Sequence, residues 1–150
     1  MIDLKTIVVA TDLSDNSMQA VAYACGLAEQ FGAHVHLLHI VSHPFADFAE
    51  TCQKDFGRKF DEYEQERQRA AEEELGKMST GALSDPQRVT QVVQCGFPVA
   101  DIPRYADDVK ADLLILGTHG RTGLKHVLMG SVCESVVRRS QCPVLTVRSK

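Results

Sequence analysis

Four consecutive apolar residues, Leu113-Leu-Ile-Leu116, run without alternation straight into Gly117. A half-exposed strand alternates polar and apolar positions, whereas a strand covered on both faces does not. Unalternating strands belong to parallel sheets flanked by helices. The following loop is punctuated by Gly117, Gly120 and Gly123 and closes on Gly130-Ser131, after which Val132, Val136 and Val137 share one helical face. The stretch reads as strand, loop and helix start, and the carboxyl end of the strand points into a crevice.

The rest of the chain repeats this grammar. Thr6–Ala10 is predicted as a first buried strand, with Thr11-Asp12-Leu-Ser-Asp15 as the loop at its carboxyl end. Asn16-x-x-Gln19 suits a capping box, Ala20, Val21, Ala24, Leu27, Ala28 and Phe31 line one helical face, and Gly32 is placed to stop the helix. Further strands are expected at Ala33–Val41, at Arg88–Gln94 and, last, at Val144–Val147. Between residues 42 and 83 the chain is polar. Pro44, Phe45, Phe48 and Phe56 suggest a partly packed loop, and a helix is expected from Arg58 to Met78, ended by Gly76, Gly81 and Ser79-Thr80. Within it Glu62, Glu64, Glu66, Arg67 and Arg69 read as a solvated charged face. Pro98 opens another helix, in which Pro103 predicts a kink or a late start. The sum is one α/β domain over residues 1–150, an open, mainly parallel five-stranded sheet with helices on both faces.

Composition narrows the function. With 16 basic against 20 acidic residues and a net charge of −4, the chain is not built to neutralise a nucleic-acid backbone. No run of about eighteen apolar residues suggests a membrane span. Five scattered cysteines with no Cys-x-x-Cys suggest reduced thiols and a cytoplasmic setting.

The glycine loop is the candidate phosphate cradle. Gly117 and Gly120 can adopt positive φ and admit a ligand close to the backbone. Gly130 and Ser131 stand where free helix amides would face an anion. The plain alternative makes Ser131 an N-cap and the glycines turn residues. There is no Walker lysine and no Gly-x-Gly-x-x-Gly fingerprint, and Gly-x-x-Gly alone only superficially matches an RNA clamp. His34 and His36 lie on one strand face and could hold a metal, but no third ligand is evident, so no metal site is expected there. His119 and His126 are read as surface imidazoles, Arg121 and Lys125 as cations able to meet phosphates, and Cys133 as buried rather than redox-active. Asp12 is a turn carboxylate or, at a strand's carboxyl end, a ligand contact.

Gly117-x-x-Gly120, nine residues, then Gly130-Ser131 resembles the signature of the nucleotide-binding branch of the universal stress protein family. Ile7-Val-Val-Ala-Thr-Asp12 and Cys142-Pro-Val-Leu-Thr-Val147 look like further landmarks of it. The resemblance implies a Rossmann-like, adenine nucleotide alpha hydrolase-like fold. It implies ATP held by Thr11, Asp12, Val41, Gly117, Thr118, Gly120, Arg121, Gly130, Ser131 and Val132, with Mg2+ or Mn2+ on the phosphates and the Val41 backbone pairing with adenine. It also implies a homodimer through Val144–Val147 and a role as a stress-response sensor or regulator. No catalytic residue is expected. The alternatives are a stress protein that binds only protein partners, and a slow ATPase or autophosphorylating protein using the hydroxyls of Ser131, Thr118 or Thr122.

Overall fold

Alternate side chains of a strand leave opposite faces of its sheet, so an unalternating apolar strand must be covered twice. The computed structural model, which describes residues 1–42, 46–79, 83–120 and 129–148 and the side chains outside 43–60, has that construction. Its elements are β1 (Thr6–Ala10), α1 (Asp15–Phe31), β2 (His34–Ser42), α2 (Ala46–Ser79), a 3-10 turn (Pro86–Arg88), β3 (Val89–Gly96), α3 (Pro98–Asp108), β4 (Leu113–Gly117), α4 (Ser131–Arg139) and β5 (Val144–Val147). The sheet order is β3-β2-β1-β4-β5 and every pairing is parallel. In register, Val9 stands between Leu37 of β2 and Ile115 of β4.

The two faces form two cores. Ile7 and Val9 of β1 join Ala20, Val21, Ala24 and Ala28 of α1 and Leu75 of α2 in one. Val8 and Ala10 join Ile102 and Ala106 of α3 and Cys133 and Val136 of α4 in the other. Ile7, Val8, Val9, Leu114 and Ile115 are fully buried. Each such side chain contributes about 1.5–3 kcal/mol over exposure, which makes the central strands the best-determined part of the fold. The chain winds from β1 through β2 to β3 on one side and from β4 to β5 on the other. The winding therefore reverses between β1 and β4, and their carboxyl ends part there.

Several local expectations are corrected. The capping box does not form, because Ser14 is the N-cap of α1 and its hydroxyl is turned to Asp12. Gly32 does cap α1, at φ 70° in the left-handed region, while Phe31 stays exposed. Helix α2 begins at Ala46, twelve residues before Arg58, so Phe48 and Phe56 fall in a helix rather than a loop. Gly76 lies inside its last turns. Pro44, Phe45, Thr80 and Gly81 lie outside the described residues. Helix α3 does not start late: it begins at Pro98 and runs through a buried Pro103. Its N-terminus is secured by the Asp101 carboxylate, which accepts from the Phe97 amide at 2.8 Å. In α4 the buried pair is Cys133 and Val136, three apart, while Val132 and Val137 are exposed.

Candidate functional site

A cavity of about 490 Å3 opens where β1 and β4 part, at the carboxyl ends of β1, β2 and β4. Open parallel sheets offer ligands a crevice at this reversal of strand order, and the volume lies in the range of small-molecule sites. Among the predicted site residues, Thr11, Asp12, Val41, Gly117, Thr118, Gly120, Gly130, Ser131 and Val132 all line it. Arg121 lies outside the described residues, as do Thr122, Gly123, Lys125 and His126.

The β1–α1 loop forms one wall, held by its own polar side chains. Thr11 Oγ1 accepts from the Leu13 amide at 3.0 Å and is hydrogen-bonded to the Ser17 hydroxyl at 2.6 Å. Asp12 Oδ1 accepts from the Ser14 amide at 3.0 Å and from its hydroxyl. Leu13 between them has φ 64°, a region that a branched side chain rarely occupies and that only a well-determined surrounding maintains. The turn role of Asp12 is thus present, and its second oxygen lies toward Gly120 of the glycine loop.

The β4–α4 loop forms the opposite wall. The Gly130 amide donates to the Thr118 carbonyl at 2.7 Å, and the Thr118 amide donates to Val147 of β5 at 2.9 Å. Both ends of the glycine loop are thereby pinned to the sheet. A Cβ on Gly120 would stand 2.9 Å from Asp12 Oδ2, and one on Gly130 would stand 3.2 Å from the Thr118 carbonyl. At both positions a Cβ would be tight against its neighbour. The positive φ expected at Gly117 and Gly120 is absent, since Gly32 is the one glycine with positive φ among the described residues. Gly130 is the N-cap of α4 at φ −68° and Ser131 its first residue, so Ser131 is not the cap. A glycine cap offers no side chain to the first-turn amides, which leaves them and the positive end of the helix dipole to the cavity.

The remaining wall comes from β2, α2 and α3. His39 is buried, with Nδ1 2.8 Å from the Thr11 carbonyl, and joins β2 to the β1 loop. Arg67 of α2 reaches the cavity and donates from Nη1 to the Ser42 carbonyl at 3.0 Å. Neither was predicted here: His39 was not singled out among the residues of its strand, and Arg67 was expected on a solvated face. Arg67 stands four and eight residues before the buried Ala71 and Leu75, so its position on the inward stripe of α2 was readable. His39 leaves no such trace, because its partner is a backbone carbonyl. Burial pushes the Cys133 thiol up from its ordinary pKa, against redox activation by the helix start. No three His, Cys, Asp or Glu converge as a metal site among the described residues.

A doubly wound, all-parallel α/β sheet with a glycine-walled crevice at its strand switch defines the class of protein. Within that class the chain belongs to the universal stress protein family, whose model matches residues 3–148. The universal stress protein MJ0531 of Methanocaldococcus jannaschii is 35% identical, over 96% of this chain and 82% of that protein. MJ0577 of the same organism is 30% identical over 97% and 96%. The solved structure of MJ0577 superposes with a TM-score of 0.79, covering 99% of each chain. A universal stress protein solved in complex with cAMP is 28% identical, with a TM-score of 0.63 over 99% of each chain.

Proposed function

We propose that this chain binds an adenine nucleotide, ATP carrying Mg2+ or Mn2+ on its phosphates, and acts as a nucleotide-dependent stress-response sensor or regulator. The observation that carries this reading is the start of α4 at the cavity: Gly130 caps the helix with no side chain and, with Gly117, Gly120 and Ser131, lines the crevice at the strand switch. A phosphate fits a cradle made of a glycine-capped helix start. The cAMP complex of a relative supports an adenine nucleotide as the occupant.

The parts divide by chemistry. The Val41 backbone at the end of β2 offers an amide and a carbonyl to the adenine edge. The Asp12 carboxylate suits ribose hydroxyls, which donate, better than phosphate oxygens, which repel it. Gly117 and Thr118 complete the nucleoside end, and Gly120, Gly130, Ser131 and Val132 take the phosphates, with Arg121 as a cationic partner. The free thiols of Cys25, Cys95, Cys133 and Cys142 suit a reducing cytoplasm. Gly130→Val should lose nucleotide binding while far-UV circular dichroism and urea midpoint stay close to wild type. Wild-type affinity in that variant would remove the cradle from the site.

We also propose a homodimer. Strand β5 pairs with β4 on one side and ends the sheet, and an unpaired edge is a template for a second chain. Light scattering should give twice the mass of the chain; a monomer across the micromolar range would refute the pairing of β5.

A further inference from the structure

Strand β2 carries a second cluster of chemistry at the end away from the cavity. His34 and His36 are two residues apart, so both side chains leave the same sheet face, the one packed by α3. Their ring centroids are 5.2 Å apart. Each ring has one nitrogen tied to a hydroxyl on a different element. His34 Nε2 is 2.7 Å from Thr90 Oγ1 of β3, and His36 Nδ1 is 2.8 Å from Tyr105 Oη of α3. A hydroxyl accepts as readily as it donates, so each imidazole can take the tautomer that donates to it. That leaves His34 Nδ1 and His36 Nε2 as lone pairs.

An oxygen on the second nitrogen is the support that metal-bound histidines receive, since it fixes tautomer and ring orientation. Two imidazoles on one tetrahedral ion, with each nitrogen about 2.1 Å from it, have centroids about 5 Å apart. The observed centroid spacing is of that size.

We propose that His34 and His36 form a two-imidazole site for a divalent transition ion of the class imidazole favours, Zn2+, Ni2+ or Cu2+, with water completing the coordination. No third protein ligand converges there among the described residues, so the site is open and exchangeable. His36 lies five residues before Val41, about 17 Å along the strand. An ion here is distinct from one carried by phosphates in the cavity.

The test is calorimetric titration of untagged, chelator-stripped, nucleotide-free protein with Ni2+ alone at neutral pH. One saturable site per chain is expected, weakened about tenfold or more by His34→Ala and by His36→Ala. Tyr105→Phe, which keeps the ring but removes the oxygen on His36, should weaken it about tenfold. Paramagnetic broadening by Ni2+ in the wild-type chain locates the ion with no variant and should centre on the two imidazoles. Absence of saturable binding, affinity unchanged in both alanine variants, or broadening centred on another histidine or a cysteine would overturn the site.

Discussion

At the scale of single residues, the glycines of the β4–α4 loop differ in what they exclude. A Cβ on Gly117 would meet only ordinary contacts, the nearest at 3.5 Å, while one on Gly120 would press on Asp12 Oδ2 at 2.9 Å. Asp12 has little room to yield, because its other oxygen is held by Ser14. Gly120→Ala should therefore weaken nucleotide binding about tenfold, or ~1.4 kcal/mol, and Gly117→Ala should change it much less. Calorimetry on the two variants decides; equal losses would mean that close approach to Asp12 is irrelevant to the ligand. The signature spacing made these glycines visible in the sequence, but not their purpose. Positive φ and close approach of a ligand were the reasons expected at Gly117 and Gly120; the positive φ is absent, and the structure adds the contacts of Gly120 with Asp12 and of Gly130 with Thr118, residues brought close only by the fold.

At the scale of elements, the turn from α1 into β2 is fastened to the start of β3. Arg88 donates from Nη1 to the Ala28 carbonyl at 3.0 Å and from Nη2 to Glu29 at 2.6 Å, and the Ser84 amide donates to the other oxygen of Glu29. Hydrogen bonds from Ser84 first, and from Arg88 second, hold the Glu29 carboxyl at about 2, below its ordinary 4.5. A carboxyl with a lowered folded pKa binds fewer protons folded than unfolded, so its contribution is present above the unfolded value and fades as pH falls. The clasp should hold at neutral pH and be lost between about 4.5 and about 2. Urea midpoints measured across that window should fall less steeply in Glu29→Gln than in wild type; parallel slopes would mean that the clasp contributes nothing. Strand positions were legible because burial on two faces leaves unalternating apolar runs such as Leu113–Leu116. The extent of α2 was not: Phe48, Cys52, Phe56 and Phe60 recur at helical spacing, but Pro44, Gly57 and the polar residues among them read as a partly packed loop, and the helix continues there regardless.

At the scale of the whole molecule, the sheet order brings together segments more than a hundred residues apart in sequence. Thr11 and Asp12 follow β1, Val41 lies near the end of β2, and Gly117, Gly120, Gly130 and Ser131 lie between the end of β4 and the start of α4; these residues border one cavity because β1 lies between β2 and β4. Spacing within a loop can be read from a sequence, and so can the strand ends. The arrival of Arg67 and His39 in the same wall depends on how α2 and β2 pack, and only the folded chain reveals it. The central claim is that this cavity holds an adenine nucleotide. Acid denaturation of freshly purified protein, with ion-exchange chromatography of the supernatant under ultraviolet detection, tests it most directly. The account predicts an adenine nucleotide approaching one per chain and its loss in Gly130→Val. An empty supernatant, together with no heat on titrating ATP and magnesium into the wild-type chain, would contradict it.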